Sequence, residues 1–174
     1  SSDLIVKPAT CFCDDDDIWS RNKLERVIES INMYPNAILF CHDEDVVFNG
    51  IKKTVYKYGP STKDMHKSLL FKGNRLSTSA VCVRRSTAMA TEGFSEKRKF
   101  ISAEDYEYWL RLSREGDFIF IREILGEYHI RGNNYSQNIR LHRKAINEVR
   151  EYHFLKWLSE HPEDWAHVQI SKGI

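Results

Sequence analysis

The chain has 174 residues, a net charge of +1 and 12% aromatic residues. That length fits one domain with a substantial core, and the aromatic content argues against disorder. The balanced charge provides no global field to draw in nucleic acid or an anionic membrane, and no apolar run approaches the roughly 20 residues of a bilayer span. Residues 1–10 also lack the basic flank and long apolar stretch of a signal peptide.

In chain order, Cys11-Phe12-Cys13 reads as the end of a strand, and four aspartates, Asp14 to Asp17, follow it directly. Ser20 is the expected N-cap of a helix with Leu24, Val27, Ile28 and Ile31 at helical spacing, stopped by Pro35. Residues 37–41 read as a buried strand. Residues 46–48 and 51–58 form a hairpin around Asn49-Gly50, a pair suited to the type I′ turn. A short helix over 63–71, a strand over 80–83 and a short helix over 86–90 follow. Residues 93–102 are polar and irregular, a candidate substrate-side loop. The next helix buries Tyr106, Trp109, Leu110 and Leu112; strands are expected over 118–121 and 125–130, and an amphipathic helix over 140–159. This order implies an α/β fold, a mixed sheet with helices on its faces. The last helix alternates Arg, Lys and Glu on its polar face and reads as structural cover, not as a membrane anchor.

The four cysteines, Cys11, Cys13, Cys41 and Cys82, all fall in apolar, strand-like segments. Cys11 and Cys13 share a strand face, but with His42 they lack the paired spacing of a zinc site. They are expected to be free, buried thiols in a reducing compartment.

The aspartate run is the first chemical signal. A strand ending in carboxylates sets hard oxygen ligands at a sheet rim, where open α/β sheets bind ligands. Mg²⁺ is usually held by one or two carboxylates plus substrate phosphates. A solvated acidic loop is the plain alternative, but Ile18-Trp19 turn apolar at once and wedge the run between buried pieces. No EF-hand spacing follows, so a dedicated calcium loop is disfavoured. The second signal is Glu104-Asp105 at a helix start, where the helix dipole alone would favour carboxylates. A base for transfer chemistry also needs a carboxylate aimed into a cleft. Lys97-Arg98-Lys99 and residues 140–144 are basic but carry no nucleic-acid reading motif; the first cluster could attract an anionic acceptor.

Read together, residues 13–19 (Cys-Asp-Asp-Asp-Asp-Ile-Trp) and Lys23-Leu24-Glu25 resemble the metal-binding turn of family 2 glycosyltransferases, enzymes of the GT-A nucleotide-sugar transferase fold. Residues 77–86 are similar to their acceptor-side strand and short helix, and Glu92-Gly93-Phe94 to the turn after it. Residues 103–112 resemble their "ED" helix, and residues 128–136 the segment closing their catalytic half. The agreement of four pieces in order over residues 10–137, rather than any one of them, carries the resemblance. Residues 138–174 then form a C-terminal helix and tail of the same single domain.

The resemblance implies a metal-dependent, inverting transferase in polysaccharide biosynthesis, cytoplasmic or peripheral at the inner face of a membrane. Asp14 or Asp15 would face the ribose and diphosphate, Asp16 would ligate Mg²⁺ or Mn²⁺ with Asp14 as second DXD carboxylate, and Asp105 would be the base with Glu104 shaping the acceptor pocket. The implied partners are a nucleotide-sugar donor and a saccharide or lipid-linked saccharide acceptor. Two departures stand out. The family's closing segment reads aromatic-Arg-x-His-Gly, whereas here the order is His129-Ile130-Arg131. Arg131 can clamp a diphosphate but cannot ligate a metal, and strand alternation favours a structural His129 over one at the metal-diphosphate site. Residues 1–10 also hold no phosphate or base signature. The nucleotide-binding half is therefore expected on a preceding segment or another chain, or else the domain is a non-catalytic scaffold that keeps the fold.

Overall fold

The structure, a computed structural model, describes residues 9–130 and 139–164. Six strands, β1 (Ala9–Cys11), β2 (Ile18–Trp19), β3 (Leu39–Phe48), β4 (Ile51–Tyr56), β5 (Val81–Arg84) and β6 (Phe118–Ile130), form one sheet. Its order is β1-β5-β3-β6-β2, and β4 pairs with the second half of β3. Only β3 and β6 are parallel to a direct neighbour. Two antiparallel steps, β1 to β5 and β5 to β3, give β1 the same direction as β3 and β6. The aspartates therefore leave the carboxyl end of a strand aligned with the two central ones.

Strand alternation decides what each face buries. Phe40 and Cys82 pack with Val27 and Ile31 of α1 (Lys23–Met33) on one side. Leu39, Cys41, Val81 and Val83 point the other way, toward α2 (Met65–Lys72), α4 (Glu104–Leu112) and α5 (Ile139–Glu160). A short α3 (Arg85–Ala90) follows β5. The expected α/β architecture, a mixed sheet with helices on both faces, is the one observed. Among the described residues no helix is long and apolar enough to cross a membrane.

Several local expectations are corrected. Helix α1 begins at Lys23 with Asn22, not Ser20, at its cap, and it buries Lys23, Val27 and Ile31 while Leu24 and Ile28 lie exposed. The i, i+4, i+8 stripe that faces the sheet thus includes a lysine. Strand β3 does not end at Cys41 but continues through the polar run His42-Asp43-Glu44, and the two strands expected over 118–130 are one, bent by register shifts against β3. The cysteine reading is also corrected. Cys11 and Cys82 lie opposite each other in the β1–β5 ladder, Cα atoms 4.1 Å apart, and form a disulfide. Cys13 is free but exposed; only Cys41 is a buried free thiol. The thiol-based argument for a reducing compartment therefore falls away.

Candidate functional site

The aspartate turn is fixed at both ends. Ahead of it, Phe12 donates its backbone N–H to the Val81 carbonyl and packs its ring on Phe94, Tyr108 and Trp109, with centroids 5.1, 6.4 and 6.0 Å away. The Asp14 N–H donates to Ser79 Oγ at 2.9 Å, and the Asp17 N–H closes the turn on the Asp14 carbonyl. Behind it, Asp17 Oδ1 accepts from the His129 N–H at 2.8 Å, and β2 pairs Trp19 with Gly126. The turn is thus held between β5 and the end of β6, two places distant in sequence.

The same contacts bring in α4. Tyr108 and Trp109, which pack on Phe12, lie one turn beyond Glu104 and Asp105 on the same helix. Burial raises the Asp14 pKa, and the charges of Asp17, Asp16, Asp15 and Glu104 raise it further. The Glu104 carboxylate therefore lies within electrostatic reach of the aspartate turn. Its Oε2 is buried without a hydrogen-bond partner among the described residues, as is Asp17 Oδ2. Asp105 accepts a hydrogen bond from Asn74 Nδ2 at 3.2 Å. Burial holds its pKa above the usual carboxylate range, with Glu104 adding to the rise. Asp15 is exposed and Asp16 half-buried.

Beneath the turn lies a buried polar layer that the sequence reading did not include. Lys23, with its side chain fully enclosed, sits 3.8 Å from the centroid of the Trp19 ring and donates to the Ser79 carbonyl at 2.5 Å; Trp19 Nε1 donates to the same oxygen at 3.0 Å. Burial lowers the Lys23 pKa to about 8, against the opposing pull of Glu44. Glu44 is fully buried and accepts from the Tyr58 hydroxyl at 2.8 Å. Its other oxygen, like His42 Nε2, has no partner among the described residues. Both lie within 3.4 Å or less, by Glu44 Oε1 and His42 Cε1, of the point a side chain on Gly126 would occupy. The available sequence signal was the run His42 to Asp45, polar residues between two apolar stretches with no Gly or Pro among them.

His129 hydrogen-bonds the Glu127 carboxylate at 3.0 Å, two residues away on the same strand face, and contributes its backbone to Asp17. Arg131 lies outside the described residues. Among those that are described, no three His, Cys, Asp or Glu side chains converge as a ready-made metal cage. The donor set still suits a hard cation such as Mg²⁺ or Mn²⁺ held by one or two carboxylates and completed by phosphate oxygens. Concentrated negative charge, which raises the Asp14 pKa, is the electrostatic condition that such a cation relieves. Compared with known proteins, the chain matches no family model, and no curated protein resembles it significantly.

Proposed function

We propose that this chain is the metal- and acceptor-side part of an inverting glycosyltransferase of GT-A type, which transfers a sugar from a nucleoside-diphosphate donor to an acceptor hydroxyl. The observation that carries the reading is the four-ring contact of Phe12, Phe94, Tyr108 and Trp109, which sets the aspartate turn beside the helix start bearing Glu104 and Asp105. Two carboxylate groups with different surroundings then serve different tasks.

In this reading Asp14 and Asp16 hold the divalent cation, and Asp15 faces the ribose and diphosphate. When bound, the cation neutralises charge on the leaving diphosphate. Asp105 takes the proton of the acceptor hydroxyl. Its raised pKa makes it a stronger proton acceptor than an ordinary surface aspartate, as a general base requires. The acceptor oxygen forms a bond to the anomeric carbon as the bond to the diphosphate oxygen breaks, and that electron pair leaves with the nucleoside diphosphate. One displacement inverts the centre, so a single base suffices and no acid partner is needed. In this reading Glu104, one of whose carboxylate oxygens is buried without a partner among the described residues, shapes the acceptor pocket beside Asp105.

Titration calorimetry with Mn²⁺ alone, with UDP or GDP alone, and with both tests the reading. Heat of binding is expected only when metal and nucleotide are combined, because phosphate oxygens complete the coordination shell. Saturable binding of metal without nucleotide would indicate a dedicated ion site and overturn the proposal.

A further inference from the structure

A second surface lies beside the start of α4. Residues 97–101 form a tight turn in which the Phe100 N–H donates to the Lys97 carbonyl, the Ile101 N–H to Arg98 and the Ala103 N–H to Phe100. Phe100 and Ala103 are both fully buried, so the chain is anchored on each side of Ile101. Ile101 itself is 65% exposed. Ile101 thus projects from a turn whose position is fixed by its buried neighbours. Across from it, the buried stripe of α5, Val149 and Ala145, continues at the same spacing to Leu141, which is 63% exposed. Ile101 and Leu141 line one groove of about 370 Å³ with Arg98, Lys99 and Lys144.

The cations of this turn are crowded. Lys97 Nζ and Lys99 Nζ lie 4.7 and 5.1 Å from the centroid of the same Tyr152 ring, and 5.7 and 5.1 Å from that of Phe100. Neither forms a salt bridge among the described residues. Both ammonium groups are exposed on one turn, so their charge is open to an anion from outside. Within the groove Arg98, Lys99 and Lys144 outnumber Glu148; Lys97 lines an adjoining hollow together with Glu92, Glu96 and Glu107, the last of which is paired with Arg111.

We propose that this face, apolar at Ile101 and Leu141 and cationic at Lys97, Arg98, Lys99 and Lys144, docks on an anionic lipid surface, the two aliphatic side chains entering the headgroup boundary. Charge complementarity selects the partner: a rim of Lys and Arg around exposed aliphatic residues is the pattern of interfacial membrane binding. The structural role of α5 belongs to its later turns, where Val149, His153 and Trp157 are buried; its first turns serve the docking face. The groove also adjoins the candidate base. Ser102, which lines it, lies three residues before Asp105, and His142 Nδ1 is 2.6 Å from the Ser102 carbonyl oxygen. On the transferase reading, on which this last step alone rests, the acceptor is membrane-anchored and its hydroxyl reaches Asp105 from the lipid side.

Flotation of the full chain with phosphatidylcholine vesicles, and with vesicles containing an equal part of phosphatidylglycerol, tests the inference. Flotation is expected only with the second, weakening as salt is raised. Charge reversal at Lys97, Arg98 and Lys99 should abolish it, at about fivefold in affinity for each cation removed. Ile101→Ser with Leu141→Ser keeps every charge and should also release the protein, with an unchanged melting temperature as the folding control. Flotation that survives either variant, or binding to soluble polyglutamate that ignores the two serine substitutions, would overturn the lipid proposal; the latter would indicate an acidic macromolecule. Flotation needs neither metal nor nucleotide, so docking can fail while the combined metal–nucleotide heat persists, and the heat can be absent while flotation persists; the two failures are therefore distinguishable.

Discussion

A carboxylate that ligates a cation and one that accepts a proton respond differently when converted to an amide. Asp105→Asn keeps the side-chain size and the Asn74 contact geometry but removes the proton acceptor. On the proposed transferase reading, sugar transfer should fall about 10²–10⁴-fold, with metal–nucleotide binding nearly intact. Asp16→Asn should instead weaken metal-dependent nucleotide binding, and raised metal concentration should recover part of it. Near-normal transfer by Asp105→Asn would move the base elsewhere, with Glu104 first to be examined. Lys23 gives a prediction of another kind. Its pKa falls from 10.5 to about 8 on burial, so the folded state releases the proton first as pH rises. A lysine depressed in this way destabilises the fold below pH 8, and the penalty disappears between about 8 and 10.5. Urea melts should show the parent gaining on the order of 2–3 kcal/mol over that interval relative to Lys23→Met. Parallel pH profiles for the two proteins would mean the ammonium is solvated.

The turn before α2 shows how one residue constrains an element. Gly59 has φ +83°, and a Cβ there would sit 2.7–2.9 Å from three carbons of the Phe120 ring on β6. Gly59→Ala therefore combines backbone strain with overpacking, and should cost about 2–4 kcal/mol in a denaturant melt. Adding Phe120→Leu should return much of that loss, a coupling that two independent effects would not produce. At this scale the sequence was informative where a rule is local. Asn49 and Gly50 both have positive φ, as their turn demands, and Tyr106, Trp109, Leu110 and Leu112 are buried at helical spacing. It was uninformative where tertiary partners decide. Strand β3 runs on through His42, Asp43 and Glu44 because β6 pairs alongside it and Tyr58, just past β4, bonds to Asp43 and Glu44 through its backbone N–H and its hydroxyl. Helix α1 turns Lys23 inward because the Trp19 ring and the Ser79 carbonyl receive it. The aspartate turn and Glu104-Asp105 were visible as residues, but their proximity depends on a ring cluster that no spacing rule encodes.

At the scale of the whole molecule, the Cys11–Cys82 bond joins two cysteines separated by 71 residues, closing a loop that contains β2, α1, β3, β4 and α2. Chain entropy alone assigns a crosslink of that span about 4 kcal/mol, mostly by restricting the unfolded state. The bond also has a local consequence. Strand β1 has only three residues at the edge of the sheet, and it leads through Phe12 directly into the aspartate turn. Without the crosslink, β1 keeps only its three-residue ladder to β5 and the Phe12 ring contacts. Cys82→Ser, or reduction of the parent, should lower stability to urea by about 3–4 kcal/mol. Cys13→Ser, which removes an exposed free thiol, should melt like the parent and rule out exchange through that residue. The reduced protein should also lose hydrogen-exchange protection at the Phe12 and Asp14 amides before it is lost in β3 and, on the proposed transferase reading, bind metal with nucleotide less tightly. A reduced protein with the parent's urea midpoint and unchanged Phe12 protection would mean that pairing and ring packing suffice to hold the turn.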